Sequence, residues 1–345
     1  MRYRLLLAVA LAAAGARASN VSDQISINST QATDSNPRSG NVSDNLSATF
    51  DLSESWSLNA GVTATAESAT AAARQVGTGS SILTMFSAGV DWDATDNWSF
   101  GLDLDFSPAT TQQAASEITV GSVNAIAVID SKTSEFDAGL DVSYDTGGVS
   151  DLEWYLSLGV AGTHESADQS VTRIGKATLP QLRQACAAQP SRLICKAITP
   201  VAVTLDSEKP SLAATATAWR DTDLTLSGDF YHYEQDPRSV LYPSLVATHL
   251  GMGMTIAPLQ YLARVEVLHR FGDFQAKVWV QGGQYEAGTA DSTKAIGLKL
   301  QYKFTKSFKM WLSASGQSDI SDADATTAAQ TIKSSTVAMG GQYRF

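Results

Sequence analysis

The chain has 345 residues, 43% of them hydrophobic, with 24 Lys+Arg against 35 Asp+Glu and a formal charge of -11. An acidic surface repels phosphate backbones, which excludes a nucleic-acid partner. No stretch approaches 18 unbroken apolar residues, so no helix can span a bilayer, and a mean hydropathy of -0.07 suits a soluble protein and a half-apolar strand array equally well.

The first element reads as a secretory signal peptide over residues 1–18. Arg2 and Arg4 make a positive start, Leu5 to Ala14 is apolar but too short to cross a membrane, and Ala16-Arg17-Ala18 fits a small-x-small cleavage site. Cleavage would remove Arg2, Arg4 and Arg17 and no acid, taking the charge from -11 to -14. Residues 19–345 then form one domain.

That domain is dominated by period-two alternation. Val21 to Asn28 carries Ile25 and Ile27 in alternation and is a weak strand, or else a flexible arm or plug. Asn45 to Leu52 begins the clear series. Trp98, Phe100, Leu102, Leu104 and Phe106 alternate with Ser99, Gly101, Asp103 and Asp105; Phe136, Ala138, Leu140, Val142 and Tyr144 alternate with Glu135, Asp137, Gly139, Asp141 and Ser143. Ile296, Leu298, Leu300, Tyr302 and Phe304 do the same against Gly297, Lys299, Gln301 and Lys303. Such segments are strands with one apolar and one polar face. Val246 to Ile256 is taken as an upward extension of the strand that ends at Phe271.

The links between strands alternate in length. Tight turns fall at Ser53-Glu54-Ser55, Asp93 to Asn97, Thr146 to Asp151, Asp221-Thr222, Gly272 and Thr305-Lys306. Long polar links fall at Ser68 to Gly79, Ser107 to Ser131, Glu165 to Asp206, Gln235 to about Leu259 and Ser318 to Thr331, and on that side only the link around Gly288 is short. Trp56, Trp92, Trp98, Tyr144, Trp154, Trp219, Phe271, Phe274, Phe304 and Phe308 all flank tight turns. Rings of this kind prefer the level of lipid headgroups. Without a spanning helix, only a closed barrel satisfies its backbone in lipid. The expected fold is therefore an all-β, transmembrane, antiparallel up-and-down barrel of about 14 strands (range 12 to 16).

The last strand, Ile332 to Phe345, puts Phe345, Tyr343, Gly341, Met339 and Val337 on one face and Arg344, Gln342, Gly340 and Thr336 on the other. Its aromatic-x-Phe end, together with the signal and the turn parity, resembles bacterial outer-membrane β-barrel proteins of the porin-like kind. The resemblance implies location in the outer membrane, contact with its lipid, and recognition of Tyr343 and Phe345 by the barrel-assembly machinery.

The polar faces then line a lumen. Early strands turn acids inward: Asp51, Asp91, Asp103, Asp105, Glu135, Asp137 and Asp141. Late strands turn bases inward: Arg264, Arg270, Lys277, Lys299, Lys303 and Lys309. The two sets should occupy opposite walls and set up a transverse field.

In the link from Glu165 to Asp206, Leu179 to Ala188 and Ser191 to Ala197 have helix-favouring composition, broken at Gln189-Pro190. A disulfide between Cys186 and Cys195 is expected in an oxidising compartment. The segment carries Arg173, Lys176, Arg183, Arg192 and Lys196. It either folds into the pore mouth against the acidic wall or caps the surface.

Enzyme chemistry finds no support. His164, His232, His249 and His269 have no metal spacing, G-x-S-x-G is missing, and Asp319 to Asp324 lacks the glycine and distal glutamate of a calcium loop. His232, with Tyr231 and Tyr233, reads as part of an upper aromatic girdle. No cofactor or metal is expected. The reading is a channel for passive diffusion of small hydrophilic solutes or ions. The alternative is a non-channel surface protein whose loops bind or help export a partner.

Overall fold

Alternating side chains make a strand half apolar, and such strands bury nothing until they pair edge to edge. The chain answers with a single antiparallel wall, seen here in a computed structural model. The structure describes residues 20–32, 39–67, 82–120, 123–147, 153–188, 195, 198, 200–219, 221–237, 258–286, 290–321 and 330–345. The signal segment and Val246 to Ile256 lie outside these residues.

The strands are β1 (Asn20–Ala32), β2 (Ser39–Asp51), β3 (Trp56–Glu67), β4 (Ile82–Asp93), β5 (Trp98–Val120), β6 (Val123–Asp145), β7 (Glu153–Ile174) and β8 (Ala177–Thr178). After helix α1 (Leu179–Ala188) come β9 (Val201–Trp219), β10 (Thr222–Phe230), β11 (His232–Tyr233), β12 (Leu259–Phe271), β13 (Phe274–Tyr285), β14 (Ser292–Lys303), β15 (Phe308–Ser321) and β16 (Gln330–Arg344). β8 and β11 are two-residue ladders on β7 and β9. The other fourteen pair in chain order, and β16 pairs with β1, closing the ring. β1 is thus a wall strand rather than an arm or plug, in register with β16 from Ser22↔Arg344 to Ala32↔Ser334.

The apolar set faces outward. Leu140, Leu158 and Ile296 are 59%, 60% and 58% exposed, as suits a surface made for lipid and not for a soluble core. At the tight-turn end the rings gather: Trp56 stacks on Trp92 at 5.5 Å, Trp98 lies 4.8 Å from Tyr144, and Phe304 lies 5.7 Å from Phe308. Tyr343 and Phe345 meet edge-on at 4.9 Å. One of these turns is only two residues long. Gly272 takes φ 63° between Phe271 and Phe274, a backbone state glycine enters at no steric cost.

The link expected over Ser107 to Ser131 is instead a hairpin. β5 and β6 keep pairing up to Val120↔Val123, after a register shift between Ser107 and Thr110. Pro108 sits at that shift, where a ladder hydrogen bond has no N–H to use. Likewise β7 runs on to Ile174 and β9 begins at Val201, so the loop between them is shorter than Glu165 to Asp206.

The helix forms over the expected residues. Gln181 closes its start: the Thr178 backbone N–H and hydroxyl both donate to Gln181 Oε1, at 2.9 and 3.1 Å, the Gln half of a Thr-x-x-Gln capping pattern. Cys186 and Cys195 are disulfide-bonded. Leu182 of the helix and Ile198 pack in one buried cluster with Ala127, Ile129, Val171 and Ile174, and Cys186 packs against it. By register, Ile129 and Val171 share the inward face with Glu135 and Glu165. The helix and its disulfide therefore cover the inner side of the extended wall, on the long-loop side of the lumen.

Candidate functional site

Register fixes which side chains line the lumen, because cross-strand partners share a face. On one wall Asp103, Asp105, Glu135, Asp137 and Asp141 surround a single cavity of about 470 Å³, joined by Glu165 from β7. Asp91 lies lower on the same face, where Ser57 Oγ donates to it at 3.2 Å and Asn59 also donates. Asp105 stands directly opposite Asp137, and Glu135 directly opposite Glu165. Asp103 is flanked by Gly89 and Gly139, and Asp141 by Gly101 and Gly159. The Asp103 carboxylate lies over Gly89 and the Asp141 carboxylate over Gly101, in space that a Cβ would otherwise fill.

The other wall runs over β12 to β15, about half-way round the ring from β4 to β7. Arg264, Arg270, Lys277, Lys299, Lys303 and Lys309 all share its inward face. They are not equivalent. Arg264 donates to Glu266 at 2.6 Å, Lys277 also pairs with Glu266, and Arg270 pairs with Asp223 at 2.5 Å. Lys299, Lys303 and Lys309 have no carboxylate partner among the described residues. Lys277 faces Lys299, and Lys303 faces Lys309, as direct cross-strand pairs.

Several lumen residues went unanticipated. Glu266 and Asp223 put acids into the basic wall, and Lys209 of β9 puts a base into the acidic cavity. Trp279 and Trp311 also turn inward. Arg264 lies 4.7 Å over the Trp279 ring and Lys299 Nζ lies 4.8 Å from the Trp311 ring centre. Each ring sits opposite a glycine, Gly297 or Gly340, which leaves it space to lie along the wall.

Tyr231 and Tyr233 are not part of an upper girdle. They line the acidic cavity, while His232 between them is exposed and pairs with Glu208. The two tyrosines continue the alternation of β10, in which Asp223, Thr225, Ser227 and Asp229 face in while Leu224, Leu226 and Phe230 face out, and the register is the same at Ser211↔Asp229 and at Glu208↔His232, on either side of the unpaired stretch at Pro210. His164 is on the outward face beside Phe136, its Nδ1 2.5 Å from Asp206 Oδ1. Among the described residues no group of His, Cys, Asp or Glu is arranged to hold a metal ion.

No protein-family model matches the sequence, and no curated protein matches it significantly. Solved structures do. CymD, a monoaromatic hydrocarbon channel, aligns over 95% of this chain and 89% of its own, with TM-score 0.52 and 9% identity. A Pseudomonas aeruginosa FadL homologue aligns over 94% of this chain and 90% of its own, with TM-score 0.52 and 7% identity. At such identities the likeness is one of fold: these are outer-membrane β-barrels, the class that the C-terminal residues resemble.

Proposed function

We propose that the chain is a bacterial outer-membrane channel, exported on residues 1–18 and passing small hydrophilic solutes or ions by passive diffusion. The tight turns would lie in the periplasm and the long loops outside. The observation that carries this reading is the like-charge pairing on the inner face: Asp105 with Asp137, Glu135 with Glu165, Lys277 with Lys299, and Lys303 with Lys309. Like charges directly opposite each other destabilise a sheet. The wall does not need them, whereas a field across a wet pore does, and such a field sorts ions by sign and orients dipolar solutes. The same charges argue against hydrocarbon cargo, which wants an apolar track. Transport here needs no covalent step.

A second reading, a surface protein with its lumen plugged by loops, draws on one observation: α1 and its disulfide cover the inward face of the β6–β7 wall. Planar-bilayer recording of the refolded chain separates the two. Discrete conducting steps, with a reversal potential that moves in a salt gradient, support the channel. A folded barrel that gives no steps, and keeps small sugars out of proteoliposomes, sinks it.

A further inference from the structure

The tight-turn end of the lumen holds a second cavity, of about 300 Å³, separate from the acidic one. Lys303, Lys306, Lys309 and Arg344 line it, against one carboxylate, Asp273. The amides of Gln275, Gln301 and Gln342 complete its wall. Lys303 and Lys309 are direct cross-strand partners, and Arg344 follows two residues after Gln342, the partner of Lys309. None of these three cations has an acidic partner among the described residues. Higher on the wall Arg264 and Lys277 are compensated by Glu266, and near the turns Arg270 is compensated by Asp223. Apart from Lys299, the wall's uncompensated cations are thus gathered at the tight-turn end.

We propose that this cavity is a binding site for compact polyanions, solutes carrying two or more phosphate or carboxylate groups on a small body. A single monovalent ion leaves most of the charge unanswered. A polyanion can bridge the Lys303–Lys309 pair and Arg344 together, and the glutamine amides can donate to its remaining oxygens. In the channel reading, the site lies at the periplasmic exit, so a polyanion that has passed the acidic cavity is held there before release. The inference rests on that reading for the solute's route but not for the binding.

Calorimetry on the folded full-length chain in detergent, at low ionic strength, tests the site with two probes, pyrophosphate and propane-1,2,3-tricarboxylate. Saturable binding of either supports the proposal and tells phosphate from carboxylate preference. The Lys303→Gln/Lys309→Gln variant should weaken it on the order of tenfold or more, the loss of charge-assisted contacts. This variant relieves a like-charge pair and is expected to fold; the heat-shift of the barrel band on gels checks that. Arg344→Gln gives an independent second loss. Lys303→Arg/Lys309→Arg keeps the charge and should keep the binding. No binding by the native barrel overturns the proposal, and so does undiminished affinity in both charge-removing variants. Binding by a barrel that conducts nothing would overturn the channel while leaving the site.

Discussion

Asp105 on β5 and Asp137 on β6 are direct cross-strand partners, and both line the acidic cavity. The pair opposes its own wall. Asp137→Asn should therefore stabilise the barrel, by about 0.5 kcal/mol, and lower its preference for cations. Urea unfolding and reversal potentials read the two effects from one sample. A variant that is less stable and equally selective would mean the carboxylates are there for the wall.

Glu266 has the converse role. It accepts from Arg264 and pairs with Lys277, and its side chain is only 16% exposed. Glu266→Gln leaves both cations without a carboxylate. The expected result is a loss of about 1–2 kcal/mol, discounted because both cations are partly solvated. Selectivity should shift toward anions, visible as a displaced reversal potential.

The staple between Cys186 and Cys195 closes a span of 9 residues. In the chain-entropy picture such a loop is worth about 2.5 kcal/mol to the segment it ties. Cys186→Ser/Cys195→Ser should loosen α1 from Ile129 and Val171 without unfolding the ring, raising hydrogen exchange in α1. If the helix narrows the mouth, mean conductance also rises. Unchanged conductance and selectivity count against a constriction.

Phe345 is 74% exposed on the outward face, and its N–H donates to the Val21 carbonyl at 2.9 Å. Its side chain adds little to the folded wall. Phe345→Ala should leave thermal stability of the refolded barrel nearly unchanged yet reduce the amount assembled in cells. Normal cellular yield would argue against its role as an assembly signal.

The ring was legible because alternation carries a sign: Leu102 and Leu140 out, Asp103 and Asp141 in. The upper parts of β5 and β6 were not, since Thr110, Thr111 and Thr133 sit among polar neighbours on both faces and only mutual pairing reveals the strand. The weak β1 became decisible through its partner, β16. In the lumen, alternation does place Glu266 inward beside Arg264; what it omits is that the side chains meet. Tyr231 and Tyr233 are legible by the same sign, since they extend the inward series Asp223, Thr225, Ser227 and Asp229 past the outward Phe230.

Height along the strands has its own consequence. Asp103 and Asp105 stand five and seven residues above the start of β5, roughly 16–23 Å at the usual rise. Lys303, Lys309 and Arg344 lie within a residue of the strand ends. Although Asp91 and Lys299 lie between the two groups, the free charge is offset along the axis as well as across it, like a junction between cation- and anion-rich zones. A conducting pore built this way rectifies. A positive potential on the long-loop side drives cations into the acidic zone and anions into the basic one, filling the pore with carriers. The opposite potential empties it, and the current–voltage curve bends accordingly.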